Sequence, residues 1–298
     1  MTARRAGFVT LLGAPNAGKS TLLNRLVGAK VSIVTPKAQT TRTRVLGIRI
    51  HGAAQVVFVD TPGIFEPRRR LERAMVRRAW RSAGDADIVV LLVDAARRAG
   101  AREAHIAASL KAGGGQSVLA LNKIDLLPRE RLLVRADQLY QTGAFSDVFM
   151  VSALTGSGVD DLLTHLSERM PEGPWLYPED ELSDAPLRFL AAEITREKLF
   201  LRLHDEIPYD IATETADWQE FDNGDVRIDQ TVYVRRPSQR AVVLGKGGAR
   251  IRAIRLAAQK DLADALHRPV HLFLTVRVRE GWPEDPARFR DLGLDYDA

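Results

Sequence analysis

Gly13-Ala14-Pro15-Asn16-Ala17-Gly18-Lys19-Ser20 lies between an apolar run, Phe8 to Leu12, and a segment in which Leu22, Leu23, Leu26 and Val27 recur at helical spacing. Strand, Gly-x-x-x-x-Gly-Lys-Ser, helix is the phosphate-binding P-loop arrangement, and a chance match would lack the flanking elements. Gly13 and Gly18 let the backbone bend so that successive amides turn inward. Together with the helix N-terminus they make a cradle for phosphate oxygens. Gly13, Pro15, Asn16, Ala17, Gly18, Lys19, Ser20 and Thr21 are therefore the candidate phosphate contacts. Lys19 can set an ammonium on the outer phosphates, and the Ser20 hydroxyl can ligate an accompanying magnesium ion.

Four further stretches carry chemistry that fits this loop. Asp60-Thr61-Pro62-Gly63 closes an apolar strand; Asp60 would hold magnesium through water, and Gly63 would offer its amide to a third phosphate. The hydroxyl-rich stretch Lys30 to Arg44 reads as a loop that orders around a triphosphate, with Thr41 the first choice and Thr40 the second for joining the magnesium shell. Lys19, Thr41 and Gly63 are thus the candidate catalytic residues. After a second strand comes Asn122-Lys123-Ile124-Asp125. A carboxylate at Asp125 can accept from N1–H and the exocyclic amine of guanine, whereas adenine offers neither donor. Asn122 would brace the loop and Lys123 would lie along the base. Ser152-Ala153-Leu154 could reach the guanine O6. Position 64 is isoleucine where many such enzymes carry a water-orienting glutamine, so slow intrinsic hydrolysis is expected.

The elements that must position these residues are legible too. A chain of 298 residues implies two cores, and a net charge of +5 with pI near 9.6 permits a polyanionic partner without establishing one. The absence of cysteine excludes disulfides, thiolate metal sites and a thiol nucleophile, and suits a reducing cytoplasm. Arg4-Arg5 ahead of Phe8 to Leu12 imitates a secretory signal, but cleavage there would damage the P-loop, so the run reads as the first strand. No apolar run approaches the length of a membrane span. Val45–Ile50 with Gln55–Val59 reads as a hairpin, Glu66–Arg81 as a basic amphipathic helix, Ile88–Asp94, Val118–Leu121 and Val148–Val151 as buried strands, and Val159–Arg169 as a helix. Pro171, Gly173, Pro174 and Pro178 mark a linker, giving a nucleotide domain over 1–171, a linker over 172–185 and a second domain over 186–298.

The second domain opens with a helix, Leu187 to Leu203. Extended stretches Tyr209–Glu220 and Asp225–Arg235 follow around an Asp222-Asn223-Gly224 turn. Gln239–Leu244 is undecided between strand and short helix; Ala249–Leu266 reads as a helix and Val270–Val278 as a strand. Between them stands Gly245-Lys246-Gly247-Gly248, where missing side chains would let a nucleic-acid backbone approach the amides, as in the Gly-x-x-Gly clamp of KH domains. Lys246, Arg250 and Arg252 are the charged candidates beside these glycines, with Arg255 and Lys260 further along the same helix.

Taken together, Gly-Ala-Pro-Asn-Ala-Gly-Lys-Ser, Lys-Ala-Gln-Thr-Thr-Arg, Asp-Thr-Pro-Gly, Asn-Lys-Ile-Asp, Ser-Ala-Leu and the late Gly-Lys-Gly-Gly resemble the bacterial Era-type GTPases, a branch of the P-loop GTPases. The resemblance spans nearly the whole chain and includes the apolar Ile64. It implies an α/β fold: a doubly wound P-loop GTPase sheet followed by a smaller α+β type II KH domain. It further implies GTP/GDP and Mg2+ as ligands, with K+ near the phosphates at Asn16. The implied partner is the single-stranded 3′ end of small-subunit (16S) ribosomal RNA, in late assembly of the 30S subunit. A monomer is expected, cytoplasmic and peripherally associated with the inner face of the cell membrane. Two modes of action remain open: a timer in which GTP state sets RNA binding, or a constitutive RNA-binding protein with GTP as a structural ligand.

Overall fold

The computed structural model describes residues 3–97, 100–204, 207–282 and 285–297. Two compact units are present. The first takes the chain up to Ser32, Thr41–Asp184 and the chain from Arg290 on; the second takes Ile33–Thr40 and Ala185–Phe289.

The first unit is built on a six-stranded sheet in the order β2-β3-β1-β4-β5-β6. Its strands are β1 (Arg5–Leu12), β2 (Val45–His51), β3 (Ala54–Asp60), β4 (Ile88–Asp94), β5 (Ser117–Asn122) and β6 (Asp147–Val151). Only β2 runs antiparallel to its neighbour; β1, β3, β4, β5 and β6 are parallel. Helices cover both faces, which is why Ile88–Val93 reads as an unbroken apolar run rather than an alternation. One face packs under α1 (Lys19–Val27) and α5 (Val159–Glu168), the other under α2 (Arg70–Gly84), α3 (Ala101–Gly113) and α4 (Arg129–Tyr140). Parallel register aligns the carboxyl ends: Leu11 stands beside Asp60, Asp94 beside Asn122, and Asn122 beside Val151. Every nucleotide candidate of this unit therefore emerges at one edge of the sheet, where open α/β sheets bind ligands.

Helix α2 starts later than the expected Glu66. Pro67 disfavours helical backbone before it, and the Glu72 carboxylate accepts from the amides of Arg68 and Arg69 at 2.7 and 3.1 Å, which fixes the start beyond them.

In the second unit α6 (Leu187–Arg202) precedes β7 (Ile211–Glu220) and β8 (Val226–Val234), then α7 (Pro237–Leu244), α8 (Ala249–Leu266) and β9 (Val270–Val278). The sheet order is β7-β8-β9, with β7 antiparallel and β9 parallel to β8. Ala191 and Ile194 of α6 and Ala258 and Leu262 of α8 bury one face of it against Ile228 and Leu272. The undecided stretch before Leu244 is helical. Proline at its first turn needs no amide partner, and Gln239 accepts from the amides of Arg235 and Arg236 at 2.9 and 3.1 Å.

These units cut the chain differently from the 1–171, 172–185 and 186–298 division. The stretch expected as a linker is fastened to the first unit: the fully buried Gln55 side chain accepts from the amides of Leu176 and Tyr177 and donates to the Tyr177 carbonyl, at 2.8, 3.0 and 2.8 Å. The last residues return to the first unit as well. Helix α9 (Pro286–Asp291) leads into a tail in which Leu294 is buried, Thr43 Oγ1 donates to the Leu292 carbonyl at 2.8 Å, and the Arg70 guanidinium sits 4.4 Å from the Tyr296 ring.

Candidate functional site

The P-loop is braced from three directions. Lys19 is buried and donates to the carbonyls of Gly13 and Ala14 at 3.2 and 3.1 Å. Asn122 links two loops: its Nδ2 donates to the Ala17 carbonyl at 2.8 Å, and its Oδ1 accepts from the Ala153 amide at 2.9 Å. Gly18, at φ 101°, could not be otherwise, because a Cβ there would stand 2.2 Å from Asn122 Nδ2. Gly63 is pressed against Pro15, whose nitrogen would lie 2.8 Å from an added Cβ, and the Ile64 amide donates to the Gly13 carbonyl at 3.0 Å. Asn16 adopts a left-handed φ of 65° between them, and Thr21 follows on the first turn of α1, half-buried.

Three hydroxyls converge on one carboxylate. Asp60 Oδ2 accepts from Ser20 at 2.6 Å, Ser32 at 2.9 Å and Thr41 at 3.4 Å, while Ser20 and Thr41 Oγ atoms stand 3.0 Å apart. Thr41 thus joins this corner, whereas the Thr40 hydroxyl meets Thr35 and the Lys37 carbonyl. Burial pushes the Asp60 carboxyl up from the usual carboxylate range, against the opposing pull of Lys19 and the three hydroxyls. The same burial pushes Lys19 down to about 8, with Asp60 acting against it. Both groups are short of charge compensation, and Asp60 Oδ1 is buried with no partner. An oxygen-lined corner with an uncompensated carboxylate oxygen, beside an ammonium at a phosphate cradle, fits a magnesium–phosphate ligand.

At the far end of the sheet edge Asp125 is exposed, with one oxygen taken by the Ser152 hydroxyl at 2.6 Å. Lys123 holds a left-handed φ of 66° and its ammonium pairs with Asp94 at 2.7 Å. Ala153 is buried and Leu154 is exposed; Arg25 of α1 donates to the Ala153 carbonyl at 3.3 Å and to that of Leu154 at 2.5 Å.

In the second unit Gly245, Gly247 and Gly248 have φ of 72°, 57° and 77°, turning the chain between α7 and α8. Lys246 and Gly247 are exposed, and nothing lies within 4 Å of a Cβ added at Gly247 or Gly248. Arg252 is exposed. Arg250, also exposed, donates to the Val242 carbonyl at 2.5 Å and so staples the loop's two helices together. Arg255 turns to Gln259 and the Leu272 carbonyl, at 2.9 and 3.4 Å.

A family model described as 50S ribosome-binding GTPase matches residues 8–123, and one described as KH domain matches residues 206–283. The GTPase Era of Rhizobium meliloti is 58% identical over 292 residues, covering 98% of this chain and 93% of the relative. That of Caulobacter vibrioides is 52% identical over 307 residues, covering 98% and 97%. The chain belongs to the Era family of GTPases. A single-substitution variant of Aquifex aeolicus Era, bound to GDP and AlF4−, superposes with a TM-score of 0.92 at 37% identity over 97% of this chain and 99% of that one. An Era complex with MgGDPNP and nucleotides 1506–1542 of 16S ribosomal RNA gives the same score, identity and coverage. As an Era-family GTPase, the protein converts GTP to GDP and phosphate.

Three further residues at this corner and edge belong to none of the motifs. Ser32 was one of many hydroxyls in its loop, yet it is buried on Asp60. Asn24 holds it there by accepting from the Val31 and Ser32 amides, each at 2.9 Å. Asp94 closes β4 as Asp60 closes β3, and that shared position was the available signal.

Proposed function

We propose that this Era-family GTPase binds Mg2+–GTP at the first unit and the single-stranded 3′ end of 16S ribosomal RNA at the second, and that nucleotide state times its RNA binding during 30S subunit assembly. Lys19 and the P-loop amides hold the phosphates. Magnesium, when bound, offsets phosphate charge through Ser20, Thr41 and water on Asp60, and K+ has its place near Asn16. Asp125, Asn122 and the loop 152–154 select guanine. Lys246 and the glycines around it take the RNA backbone, with Arg252 beside them. The buried, apolar Ile64 cannot orient water, so intrinsic hydrolysis is slow.

One observation carries the timing. Residues Ile33–Thr40 stand directly between Ser32 and Thr41, both at Asp60, yet they belong to the second unit. There the Val34 amide donates to Glu197 at 2.9 Å, Arg196 donates to the Thr40 carbonyl at 2.6 Å, and Lys37 donates to the Leu203 carbonyl. Arg196 and Glu197 are both buried in α6, the helix that packs on α8 behind the Gly-Lys-Gly-Gly loop. Ordering Thr41 on a triphosphate therefore pulls on a segment that α6 grips. The test is RNA affinity of the full chain with a GTP analogue and with GDP. A difference within the 5- to 150-fold that site–site coupling ordinarily gives, about 1–3 kcal/mol, supports the timer; equal affinities overturn it in favour of a constitutive RNA binder.

We also propose a monomer in the cytoplasm that associates peripherally with the inner face of the membrane. Among the described residues no helix is long and apolar enough to cross a membrane, and the net charge of +5 suits anionic lipid. Flotation with vesicles of phosphatidylglycerol tests this; absence of binding at low salt sinks it.

A further inference from the structure

Beneath α2 lies a second basic site that the hydrolytic reading does not use. A cavity of about 100 Å³ is lined by Phe8 and Thr10 of β1, Val59 of β3, Arg44 just ahead of β2, and Ser82 and Asp85 at the end of α2. A water needs roughly 10–15 Å³ by this measure, so a larger guest fits. Arg78 stands four residues before Ser82 and seven before Asp85, a spacing that puts all three on one face of α2. Its Nε is buried without a partner. Arg44 and Arg81 crowd it and, after burial itself, push its proton affinity down; Asp85 opposes them. Asp184 lies on the Arg44 side. Among the described residues, Arg44, Arg78 and Arg81 close no salt bridge with either carboxylate.

Arginine cannot relieve such crowding by losing its proton, and its planar fork suits phosphate oxygens two at a time. Arg73, Arg77 and Arg81 are exposed at intervals of four along the same helix, a stripe that leads to the cavity. We propose that this cavity is a second anion site, built for a phosphate group on Arg44 at its wall, with Arg78, which stands outside the lining on the same face of α2 as Ser82 and Asp85, and the Arg73–Arg77–Arg81 stripe taking the neighbouring phosphates. Arg44 lies three residues after Thr41, and α2 follows Gly63. An anion here fastens together the two segments that leave the triphosphate corner.

The chemistry is shared by a free phosphate and by a phosphodiester of structured RNA. The full chain, saturated with GDP and magnesium so that the P-loop is filled, is titrated with inorganic pyrophosphate and with a blunt RNA duplex that offers no single strand. The expected result is binding that Arg44→Gln and Arg78→Gln each weaken about tenfold, the low end for a charge-assisted hydrogen bond, with the duplex salt slope falling by about one per variant. Binding of pyrophosphate alone identifies a small anion as the guest. Binding of the duplex, displaced by pyrophosphate, identifies RNA. Failure of both probes to bind, or binding by both variants equal to that of the unaltered protein, overturns the proposal. Arg44→Gln keeps the test open should Arg78→Gln fail to fold, because Arg44 lies outside the helix.

Discussion

Each unit carries a glycine-rich loop, and the glycines at 13–18 and 245–248 answer different demands. In the P-loop the crowding is internal: a Cβ at Gly13 would stand 2.3 Å from the Leu92 carbonyl oxygen, and one at Gly18 would reach Asn122. In the Gly-Lys-Gly-Gly loop open space surrounds Gly247 and Gly248, and only Gly245 meets a neighbour, Arg250. The first loop is a closed cradle whose shape is fixed by the protein around it. The second stands open, with room on its outer side. Pre-set loops favour affinity for one compact ligand, whereas open ones admit a continuing strand.

The largest effect expected from this contrast comes from Gly18→Ala. Overpacking against Asn122 costs about 1–3 kcal/mol and the left-handed φ about another 1–2, so GTP affinity should fall by at least about 30-fold in a calorimetric titration. Intact affinity would mean that the cradle yields. Asp125→Asn is next: removal of the charged acceptor, worth about 1.5–3 kcal/mol, should lower the preference for GTP over ATP in competition by about 10- to 150-fold. Retained selectivity would place base recognition elsewhere. Gly247→Asp should weaken RNA about tenfold, through repulsion of phosphate, with GTP binding unchanged and stability lowered only by the roughly 1–2 kcal/mol that its left-handed φ of 57° costs a side chain. If the fold melted instead, the openness of that loop would be refuted. Glu197→Ala should bring RNA affinities with GTP analogue and GDP towards equality, by about the 1–3 kcal/mol of ordinary coupling. The smallest effect is on pH dependence. With Lys19 pushed down to about 8 from 10.5, the unfolded chain binds the extra proton between these values. Stability of the ligand-free protein should rise with pH across that window, and the rise should vanish in Lys19→Met.

The sheet and its ligand edge were legible because their signals are local: apolar runs of strand length, and motif residues immediately after them. Helix α8 and strand β9 fall at the expected residues, since a stripe such as Ile254, Ala258 and Leu262 writes its own period. The type of the stretch before Leu244 stayed open because six residues hold too few repeats to separate two periods. Ser32, Gln55, Arg196 and Glu197 were illegible for another reason. Each is a buried polar side chain with a partner far off in sequence: Asp60, the backbone at 176–177, Thr40 and Val34 in turn, and no periodicity records such pairing, even where Arg196 and Glu197 also meet the nearby Glu193 and Lys198. By sequence alone the tail beyond Arg290 reads as an extension of the second domain for the same cause: its anchors, Thr43 and Arg70, lie more than two hundred residues away.

Because the first unit is assembled from three separate stretches of chain, no single cut releases it whole. A fragment ending near residue 185 would forfeit the returning tail and leave Val34 and Thr40 with no grip from α6, so its turnover would report a damaged enzyme rather than an independent one. Dissection of this GTPase belongs to point substitution, not to scissors.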